Sequence, residues 1–282
     1  MKTKDELIDD LLTLAFAEDV GDGDHTTLST IPAEAMGRSR LLCKEEGIIA
    51  GIDVAEKVLH RIDPTIRMER FLKDGDLVKK GDVAFIAEGP VRSLLIAERT
   101  MLNIMQRMSG VATMTRRYQD ELEGLHTRVL DTRKTTPGMR MLEKDAVAIG
   151  GGKNHRIGLF DMILIKDNHI DFAGGIKEAI DGAHAYLKKI GKKIPIEVEA
   201  RSLDDIRCIL EIGGVDRIMF DNFTPELTRE AVKLVDGRTE TESSGGITLE
   251  NLRAYGEAGV DFISVGALTH SVKGLDMSFK AC

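Results

Sequence analysis

Cysteines and long hydrophobic runs are scarce in this sequence, and each shortage excludes a class of protein. The three cysteines, Cys43, Cys208 and Cys282, lie far apart, and no Cys-x-x-Cys motif or other metal-binding spacing accompanies them. We therefore expect reduced thiols in a cytoplasmic protein rather than a disulfide framework. No apolar stretch approaches the roughly 20 residues of a membrane-spanning helix. The first 20 residues are charged throughout and lack the apolar segment of a secretory signal peptide.

The overall charge is negative, although the chain has enough hydrophobic residues for a sizeable core. The formal net charge of -8 argues against nucleic acid or an anionic membrane as the main partner. Hydrophobic residues make up 42% of the chain, which argues against disorder. A length of 282 residues allows one large or two ordinary domains, at roughly 100–200 residues per domain.

The two halves of the chain have different patterns of secondary structure. In 1–112, helical segments and short strands follow one another irregularly, which predicts an N-terminal α+β domain that we expect the C-terminal tail, 271–282, to join. In 113–270, strands and helices alternate, which predicts a parallel sheet built from βαβ units. About 150 residues are too few for an eight-stranded barrel of roughly 250, so we expect an incomplete α/β barrel of six or seven strands. A doubly wound open sheet is the alternative.

Polar residues or glycines follow the strands of 113–270, at the edge where βα proteins bind their ligands. Basic residues come first, carboxylates follow the middle strands, and hydroxyls and glycines follow the last ones. Polar loops alone explain one or two such strand ends but not six, so we interpret this edge as a binding site. In chain order the candidate residues are Arg133, Lys134, His155, Arg156, Lys166, Glu199, Asp221, Ser244, Gly245, Gly246 and Gly266.

The residue types at this edge indicate two anionic ligands. Seven Lys or Arg and four Asp or Glu lie within 133–169, a local positive excess on an acidic protein that favours a small anion. Glycines and serines in late βα loops are typical of phosphate sites. Paired carboxylates such as Glu199 and Asp221 suit Mg²⁺ or ribose hydroxyls. These residues together predict a phosphorylated sugar beside a small polyacid that the basic groups bind.

A helix that precedes the barrel has a polar stripe with two possible meanings. A spacing of about 100° per residue puts Arg99, Asn103, Gln106 and Gly110 on one side. The opposite side contains Met101, Met105 and Met108, which we assign to the core. The stripe is either a solvated face or a surface that meets a partner or a site. Its single charge and its final glycine make it a poor solvated face.

Five stretches of the chain together resemble a known family. They are AERTMLNIMQRMSGVAT, DTRKTTPGMRMLEKDAVAIGGGKNHRIGLFDMILIKDNH, IEVEA, MFDNF and ESSGGI. With them the sequence resembles the quinolinate phosphoribosyltransferases, from EDVGDGDHTT to VGALTHSVKGLDMS. The resemblance implies an N-terminal sandwich domain and an incomplete α/β barrel, assembled as a homodimer in which the neighbouring subunit's N-terminal domain completes each site. It also implies transfer of phosphoribosyl from 5-phosphoribosyl 1-pyrophosphate to quinolinate with Mg²⁺, which gives nicotinate mononucleotide, pyrophosphate and CO₂ in NAD biosynthesis.

The resemblance also assigns a role to each candidate residue, and three of them, Lys134, Glu199 and Asp221, are expected to be catalytic. The roles fall into four groups that match the two ligands. They are a clamp for the quinolinate carboxylates (Arg133, His155, Arg156 and Lys166, with Arg99 from the other subunit), a pyrophosphate contact (Lys134), ligands for ribose and Mg²⁺ (Glu199 and Asp221), and a cradle for the 5′-phosphate (Ser244, Gly245, Gly246 and Gly266).

Two other functions remain as alternatives. A phosphoribosyltransferase that takes nicotinate needs fewer cations for a single carboxylate than this chain offers. A non-catalytic relative that binds a phosphorylated ligand is expected to lack Lys134 or one of the carboxylates Glu199 and Asp221, and all three are present. Release of CO₂ from quinolinate distinguishes the enzyme from both alternatives.

Three local expectations concern backbone and caps. Gly150 to Gly152 are expected to let the backbone pass close to the basic cluster. Thr248 is the expected N-cap of the helix that follows the late glycines, and Asp24 is expected to be a turn or cap residue. His169 either belongs to the site or orients its neighbours.

Overall fold

The computed structural model describes residues 2–282, and no helix among them combines the length and the hydropathy needed to cross a membrane. The strands are β1 (Met36–Cys43), β2 (Gly47–Ile48), β3 (Arg67–Arg70), β4 (Leu77–Val78), β5 (Val83–Pro90), β6 (Arg128–Leu130), β7 (Ile163–Ile165), β8 (Ile196–Ala200), β9 (Arg217–Asp221), β10 (Glu240–Ser244), β11 (Phe262–Ser264) and β12 (Met277–Ala281). The helices are α1 (Lys4–Val20), α2 (His25–Thr30), α3 (Ile52–Ile62), α4 (Val91–Asp120), α5 (Arg140–Ile149), α6 (Asp167–Ala173), α7 (Ile176–Ile190), α8 (Leu203–Ile212), α9 (Pro225–Val235), α10 (Leu252–Glu257) and α11 (Ala267–His270).

The chain forms two compact units. The first contains the chain up to Arg116 together with Thr135–Gly151 and Leu268–Cys282, and the second contains Arg117–Lys134 and Gly152–Ala267. These units are defined by spatial contacts between residues. The boundary between domains that the sequence places after residue 112 stays a prediction.

The first unit is built on an antiparallel sheet whose order is β12-β1-β5-β3. The last strand of the chain lies at its edge, where Ala281 is opposite Ser39 of β1. Phe85 of β5 and Phe279 of β12 pack with their ring centroids 6.3 Å apart, and both side chains are buried. Long-range pairing of this kind gives the α+β domain that the irregular order of segments predicts.

Helix α4 shows what covers the polar stripe. The side-chain amide of Gln106 donates to the carbonyl of Met277 at 3.1 Å. At Gly110, a Cβ atom would lie 2.3 Å from the carbonyl of Lys273, so only glycine allows the C-terminal segment to approach this closely. This half of the stripe is therefore covered by residues 272–277 rather than by water. The methionines of the opposite side are buried, as predicted.

The second unit contains a parallel sheet of six strands within the described residues, in the order β6-β11-β10-β9-β8-β7. From β7 to β11, each strand pairs with the strand that follows it in the sequence, so the order never reverses as it does in a doubly wound sheet. This confirms the incomplete α/β barrel with six strands. All five residues of β8 are buried. Because all six strands are parallel, their carboxyl ends lie at one edge, where the candidate residues follow them.

Of the three local expectations, the one for Asp24 is confirmed, the one for Thr248 is wrong, and the one for the three glycines is wrong for Gly150 and stays a prediction for Gly151 and Gly152. A Cβ atom on Gly150 would lie 2.4 Å from the carbonyl of Ala112, so this glycine lets the end of α5 approach α4 rather than the basic cluster. Helix α10 begins after Asn251, so Thr248 is not its N-cap; Thr248 lies before the helix, where its N–H donates to Oδ1 of Asn251 at 2.8 Å. Asp24 is a cap, because its Oδ1 accepts the N–H of Thr27 at 3.0 Å.

Candidate active site

A cavity of about 240 Å³ opens within the second unit and collects many of the residues that follow the strands. Six of the predicted site residues line it, and five further residues complete the wall with two apolar side chains, two hydroxyls and a carboxylate. The predicted residues are Arg133, Lys134, His155, Arg156, Lys166 and Ser244, and the further ones are Thr132, Leu164, Met219, Glu242 and Ser264. The cavity thus combines cations, hydroxyl groups and an apolar surface, which suits a small aromatic acid.

Two guanidinium groups contribute to the positive charge of the cavity, beside the ammonium groups of Lys134 and Lys166. Arg133 follows β6 and is exposed, whereas Arg156 is partly buried and its Nη1 lies 3.4 Å from the carbonyl of Met162. Burial, and then the neighbouring charge of Arg133, lowers the pKa of the Arg156 guanidinium below its ordinary value. Two such cations at one wall repel one another, and an anion with two carboxylates relieves that repulsion.

Asp131 fixes the segment that leads into Arg156. It follows β6 directly, and it is fully buried. Its Oδ1 accepts the backbone N–H of His155 at 2.8 Å, and its Oδ2 accepts the side-chain amide of Asn154 at 2.7 Å. Sequence reasoning missed this residue, although a carboxylate two residues before the basic pair Arg133 and Lys134 at a strand end is a recognisable signal. Charge-assisted bonds of this kind hold the backbone in one place.

The imidazole of His155 has partners within the protein on both nitrogens. Its Nδ1 accepts the backbone N–H of Arg156 at 2.7 Å, so the neutral ring has its proton on Nε2. The Nε2 atom lies 2.9 Å from Oε2 of Glu197 and 3.6 Å from Oε2 of Glu242. The predicted contact between His155 and a substrate carboxylate stays a prediction.

Glu197 and Glu242 are two fully buried carboxylates on strands β8 and β10. Burial raises the pKa of Glu197 to about 7, and burial followed by the charge of Glu197 raises the pKa of Glu242 to about 8. Arg217 of β9 faces both, and its Nη1 lies 3.1 Å from Oε2 of Glu242. Sequence reasoning assigned no role to these three residues. The available signal is a charged residue inside a short buried strand, which folded proteins tolerate only when it is paired.

Glu199 and Asp221 lie on neighbouring strands, as predicted for a pair that binds ribose or Mg²⁺. Glu199 is opposite Met219, two residues before Asp221. Lys166 lies beside the pair, with its Nζ 3.4 Å from Oε2 of Glu199. Burial raises the pKa of Glu199, and the charge of Lys166 opposes this effect. Two carboxylates fit the oxygen-seeking Mg²⁺ ion, which completes its shell with water and phosphate oxygens.

The late glycines form a turn that only glycine allows. Gly245 and Gly246 have φ values of +97° and +61°, directly after Ser244 at the end of β10. A Cβ atom on Gly245 would lie 2.2 Å from Oδ1 of Asn222. The side-chain amide of Asn251 donates to the carbonyl of Gly246 at 3.2 Å and so fixes the turn. Consecutive residues of this conformation direct backbone N–H groups toward an anion, which fits the predicted phosphate cradle.

Besides Glu199, Asp221, Gly245 and Gly246, three further predicted or candidate residues lie outside the lining of this cavity. Gly266 follows β11 in the loop before α11. His169 accepts the backbone N–H of Lys166 at 2.9 Å, so it orients the start of α6. Arg99 belongs to the first unit, where it is exposed on α4 and lines a cavity of about 440 Å³ together with Asn103 of the same stripe and Asp19 of α1.

Comparison with known proteins points to one family over nearly the whole chain. The family model "Quinolinate phosphoribosyl transferase, N-terminal domain" matches residues 24–109, and the model of the C-terminal domain of the same family matches residues 111–280.

Similar proteins carry related names. The chain is 45% identical over 285 residues to the chloroplastic nicotinate-nucleotide pyrophosphorylase [carboxylating] of Oryza sativa, covering 96% of this chain and 76% of the relative. It is 46% identical over 268 residues to the probable nicotinate-nucleotide pyrophosphorylase [carboxylating] of Bacillus subtilis, covering 95% and 91%. The solved structure of the nicotinate-nucleotide pyrophosphorylase from Francisella tularensis superimposes with a TM-score of 0.91 at 38% identity, covering 100% of this chain and 98% of that one. With both domain models matched and this fold shared, the chain belongs to the quinolinate phosphoribosyltransferase family.

Proposed function

We propose that the protein transfers the phosphoribosyl group of 5-phosphoribosyl 1-pyrophosphate to quinolinate with loss of CO₂, and so makes nicotinate mononucleotide for NAD biosynthesis. The observation that carries this proposal is the cavity that Arg133, Arg156 and Lys166 line together. The paired carboxylates Glu199 and Asp221 follow neighbouring strands at the same edge of the sheet. Such a site holds a dicarboxylate beside a phosphorylated sugar. The printed names of the relatives support the same reaction.

The chemistry balances without a redox partner. The pyridine nitrogen of quinolinate forms a bond to C1 of the ribose while the bond from C1 to pyrophosphate breaks. The 2-carboxylate then leaves as CO₂, and its electron pair at C2 takes up a proton. The cations of the cavity bind and orient the two carboxylates, and Lys134 contacts the pyrophosphate as its negative charge develops.

Mg²⁺ fits the oxygen ligands that Glu199 and Asp221 provide. When bound, it would neutralise negative charge on the pyrophosphate, while the two carboxylates would also accept hydrogen bonds from the ribose hydroxyls. Of the chain's own residues, Lys166 holds Glu199 in place through its ion pair at 3.4 Å. Ser244, Gly245, Gly246 and Gly266 bind the 5′-phosphate in this proposal.

The proposal includes a homodimer in which Arg99 serves the neighbouring subunit's site. Arg99 is exposed at a cavity of the first unit, and no described acid forms an ion pair with it within 4.0 Å. A third arginine helps to balance two substrates that together carry many negative charges. The three cysteines are unpaired in the structure, which supports a reducing compartment such as the cytoplasm.

The proposed function is tested by offering the purified protein 5-phosphoribosyl 1-pyrophosphate and Mg²⁺ with either quinolinate or nicotinate. We expect nicotinate mononucleotide from quinolinate and none from nicotinate at equal concentration. Product from nicotinate alone would favour the nicotinate-specific alternative. Binding of quinolinate without turnover would favour the non-catalytic relative.

A further inference from the structure

Asn222 follows β9 in a backbone conformation that residues other than glycine rarely adopt. Its φ is +56°, and in the part of the chain that the structure describes one other non-glycine residue, Asp236, has a positive φ. Asp236 is the C-cap of α9, and helices commonly end in this conformation. Asn222 instead lies between a strand and Thr224, the N-cap of the next helix. Backbone strain at such a place is typical of functional sites.

The neighbours of Asn222 hold this conformation in place. Phe220 and Phe223 stack with their ring centroids 5.5 Å apart, and both are buried. The hydroxyl of Tyr255, on α10, donates to the carbonyl of Phe223 at 2.9 Å. The N–H of Asn222 itself donates to the carbonyl of Ser244 at 2.9 Å. The backbone on both sides of Asn222 is thus fixed, which is the condition under which a strained residue persists.

The side chain of Asn222 contacts two of the predicted ligand-binding groups. Its Nδ2 donates to Oδ2 of Asp221 at 2.8 Å. Its Oδ1 lies 2.2 Å from the position that a Cβ atom on Gly245 would take, so the backbone of the glycine turn packs directly against the amide. The reverse orientation would put Oδ1 against a carboxylate oxygen, so the two amide atoms cannot exchange places. The amide therefore bridges the carboxylate proposed for ribose and the turn proposed for phosphate.

The amide is not used to cap the following helix. Asparagine side chains near the start of a helix usually accept backbone N–H groups of the first turn. In α9 that role belongs to Thr224, whose Oγ1 accepts the N–H of Leu227 at 3.3 Å. Asn222 is exposed, and an exposed hydrogen bond between two side chains holds neither of them firmly, because water competes for it and side-chain entropy opposes it. The contact with Gly245 supplies the second fixed point for the amide.

We propose that Asn222 is a positioning residue that fixes the carboxylate of Asp221 relative to the glycine turn, so that the ribose hydroxyls and the 5′-phosphate of one phosphoribosyl donor are bound together. A ligand whose two ends are recognised at a fixed separation loses less free energy to ordering of the site than one bound by independent groups. This role rests on the proposed function, because the donor is the substrate named there. Quinolinate is not expected to depend on Asn222, which does not line the cavity of the second unit.

Asn222→Gly separates this role from a purely structural one. Glycine adopts a φ of +56° without strain, so the variant should fold and be about as stable as the wild type. If Asn222 served the backbone turn alone, both KM values would stay at the wild-type level. We expect instead that the KM for the donor rises about tenfold or more, as for a lost hydrogen bond to a charged group, while the KM for quinolinate changes less than about twofold. An unchanged donor KM would overturn the proposal.

Two further variants serve as control and second test. Asp236→Gly replaces the other described non-glycine residue of positive φ, +50°, at the end of α9, and should leave both KM values unchanged. Asn222→Asp keeps the size of the side chain and tolerates the same backbone, but an aspartate anion cannot donate to Asp221. It should raise the donor KM at least as much as Asn222→Gly does. A wild-type donor KM in Asn222→Asp would also overturn the proposal.

Calorimetry with ribose 5-phosphate tests the inference without turnover. This probe has the hydroxyls and the phosphate of the donor but no pyrophosphate, so it cannot react with quinolinate. We expect the wild type to bind it and Asn222→Gly to bind it about tenfold more weakly, whereas Asp236→Gly keeps the wild-type affinity. Equal affinities of the wild type and Asn222→Gly, or no binding to the wild type, would contradict the inference.

The measurements separate the inference from the proposed function. Binding of ribose 5-phosphate that depends on Asn222, without turnover of quinolinate, would contradict the proposed function and support the inference. Turnover of quinolinate with the same donor KM in Asn222→Gly and the wild type would contradict the inference and support the proposed function.

Discussion

The Oδ1 atom of Asp131 accepts the backbone N–H of His155 at 2.8 Å, and this bond joins the end of β6 to the segment that positions Arg156. Asp131 also binds the side chain of Asn154 through its other oxygen. A single buried carboxylate therefore determines where one wall of the cavity lies.

Replacement of Asp131 by asparagine should disturb this wall. The asparagine side chain has one oxygen that accepts and one nitrogen that donates, whereas both oxygens of Asp131 accept. One of the two donors, the N–H of His155 or the amide of Asn154, would therefore face the new NH₂ group. We expect a loss of about 1–3 kcal/mol in the free energy of unfolding and a larger rise in the KM for quinolinate than in the KM for the phosphoribosyl donor. Asp261→Asn is the control, because Asp261 binds the N–H and hydroxyl of Thr241 at the opposite ends of the strands. Equal effects of both variants on the quinolinate KM would contradict this role.

The clamp predicts a selective loss of quinolinate binding. Arg133→Ala and Arg156→Ala should each weaken quinolinate binding by about 1.5–3 kcal/mol, the range for a hydrogen bond to a charged group. Binding is measured by calorimetry at constant salt. Arg207→Ala removes an exposed arginine of α8 that pairs with Asp204, and should leave the affinity unchanged. Unchanged affinity in both cavity variants would exclude the clamp.

The glycine turn predicts a selective loss of phosphate binding. Gly245→Ala introduces a Cβ atom 2.2 Å from Asn222 Oδ1 at a φ of +97°, so the turn must shift. We expect the KM for the phosphoribosyl donor to rise more than the KM for quinolinate. Gly237→Ala is the control, because it introduces a similar backbone strain of about 1–2 kcal/mol while its new Cβ atom has no neighbour within 4 Å. This variant should lower the stability without changing either KM. A normal donor KM in Gly245→Ala would argue against a phosphate site at this turn.

The raised pKa of the buried Glu242 predicts how the stability of the protein changes with pH. The pKa of Glu242 is raised in the folded protein from 4.5 to about 8, so the folded state binds more protons than the unfolded state between these values. The proton's contribution to the free energy of unfolding is complete below about pH 4.5 and is lost as the pH rises to about 8. The free energy of unfolding of the wild type should therefore fall relative to Glu242→Gln across this range, as measured by urea denaturation. A constant or opposite difference would contradict a raised pKa.

The shared site predicts complementation between subunits. Arg99→Ala and Arg133→Ala should each be inactive or nearly so. In a mixed dimer one site then contains both substitutions and the other contains neither, so as much as about half of the activity of a dimer should return. Mixed dimers are isolated by two affinity tags. Mixed dimers that form without regaining activity would remove the role of Arg99 in the neighbouring site.

The sequence predicts the barrel and most of its ligand-binding edge for a physical reason. In a parallel βα fold all strand ends meet at one edge, so the order of residues such as Lys166, Glu199 and Asp221 can be read as a spatial arrangement. The cavity contains six of the residues predicted in this way. The predicted number of strands follows from the length of the chain alone.

Other features depend on contacts between distant residues, which a local pattern does not reveal. Gly150 looks like part of a glycine loop, but its neighbour is the carbonyl of Ala112 on another helix. Glu242 and Arg217 lie in short strands with several charges, and only the folded structure shows that their side chains are buried, with 0% and 11% exposed. The position of Asp131 before the basic pair is visible in the sequence, but its partners Asn154 and His155 are not, because they follow it by more than 20 residues.

Carboxyl-labelled quinolinate tests the central claim most directly. The purified protein is incubated with 5-phosphoribosyl 1-pyrophosphate, Mg²⁺ and quinolinate that is labelled at the 2-carboxyl group. The amounts of labelled CO₂, of pyrophosphate and of nicotinate mononucleotide are then measured separately. The account predicts equal amounts of the three products, and none when 5-phosphoribosyl 1-pyrophosphate is omitted. Label retained in the nucleotide, or no nucleotide while both substrates bind, would contradict it.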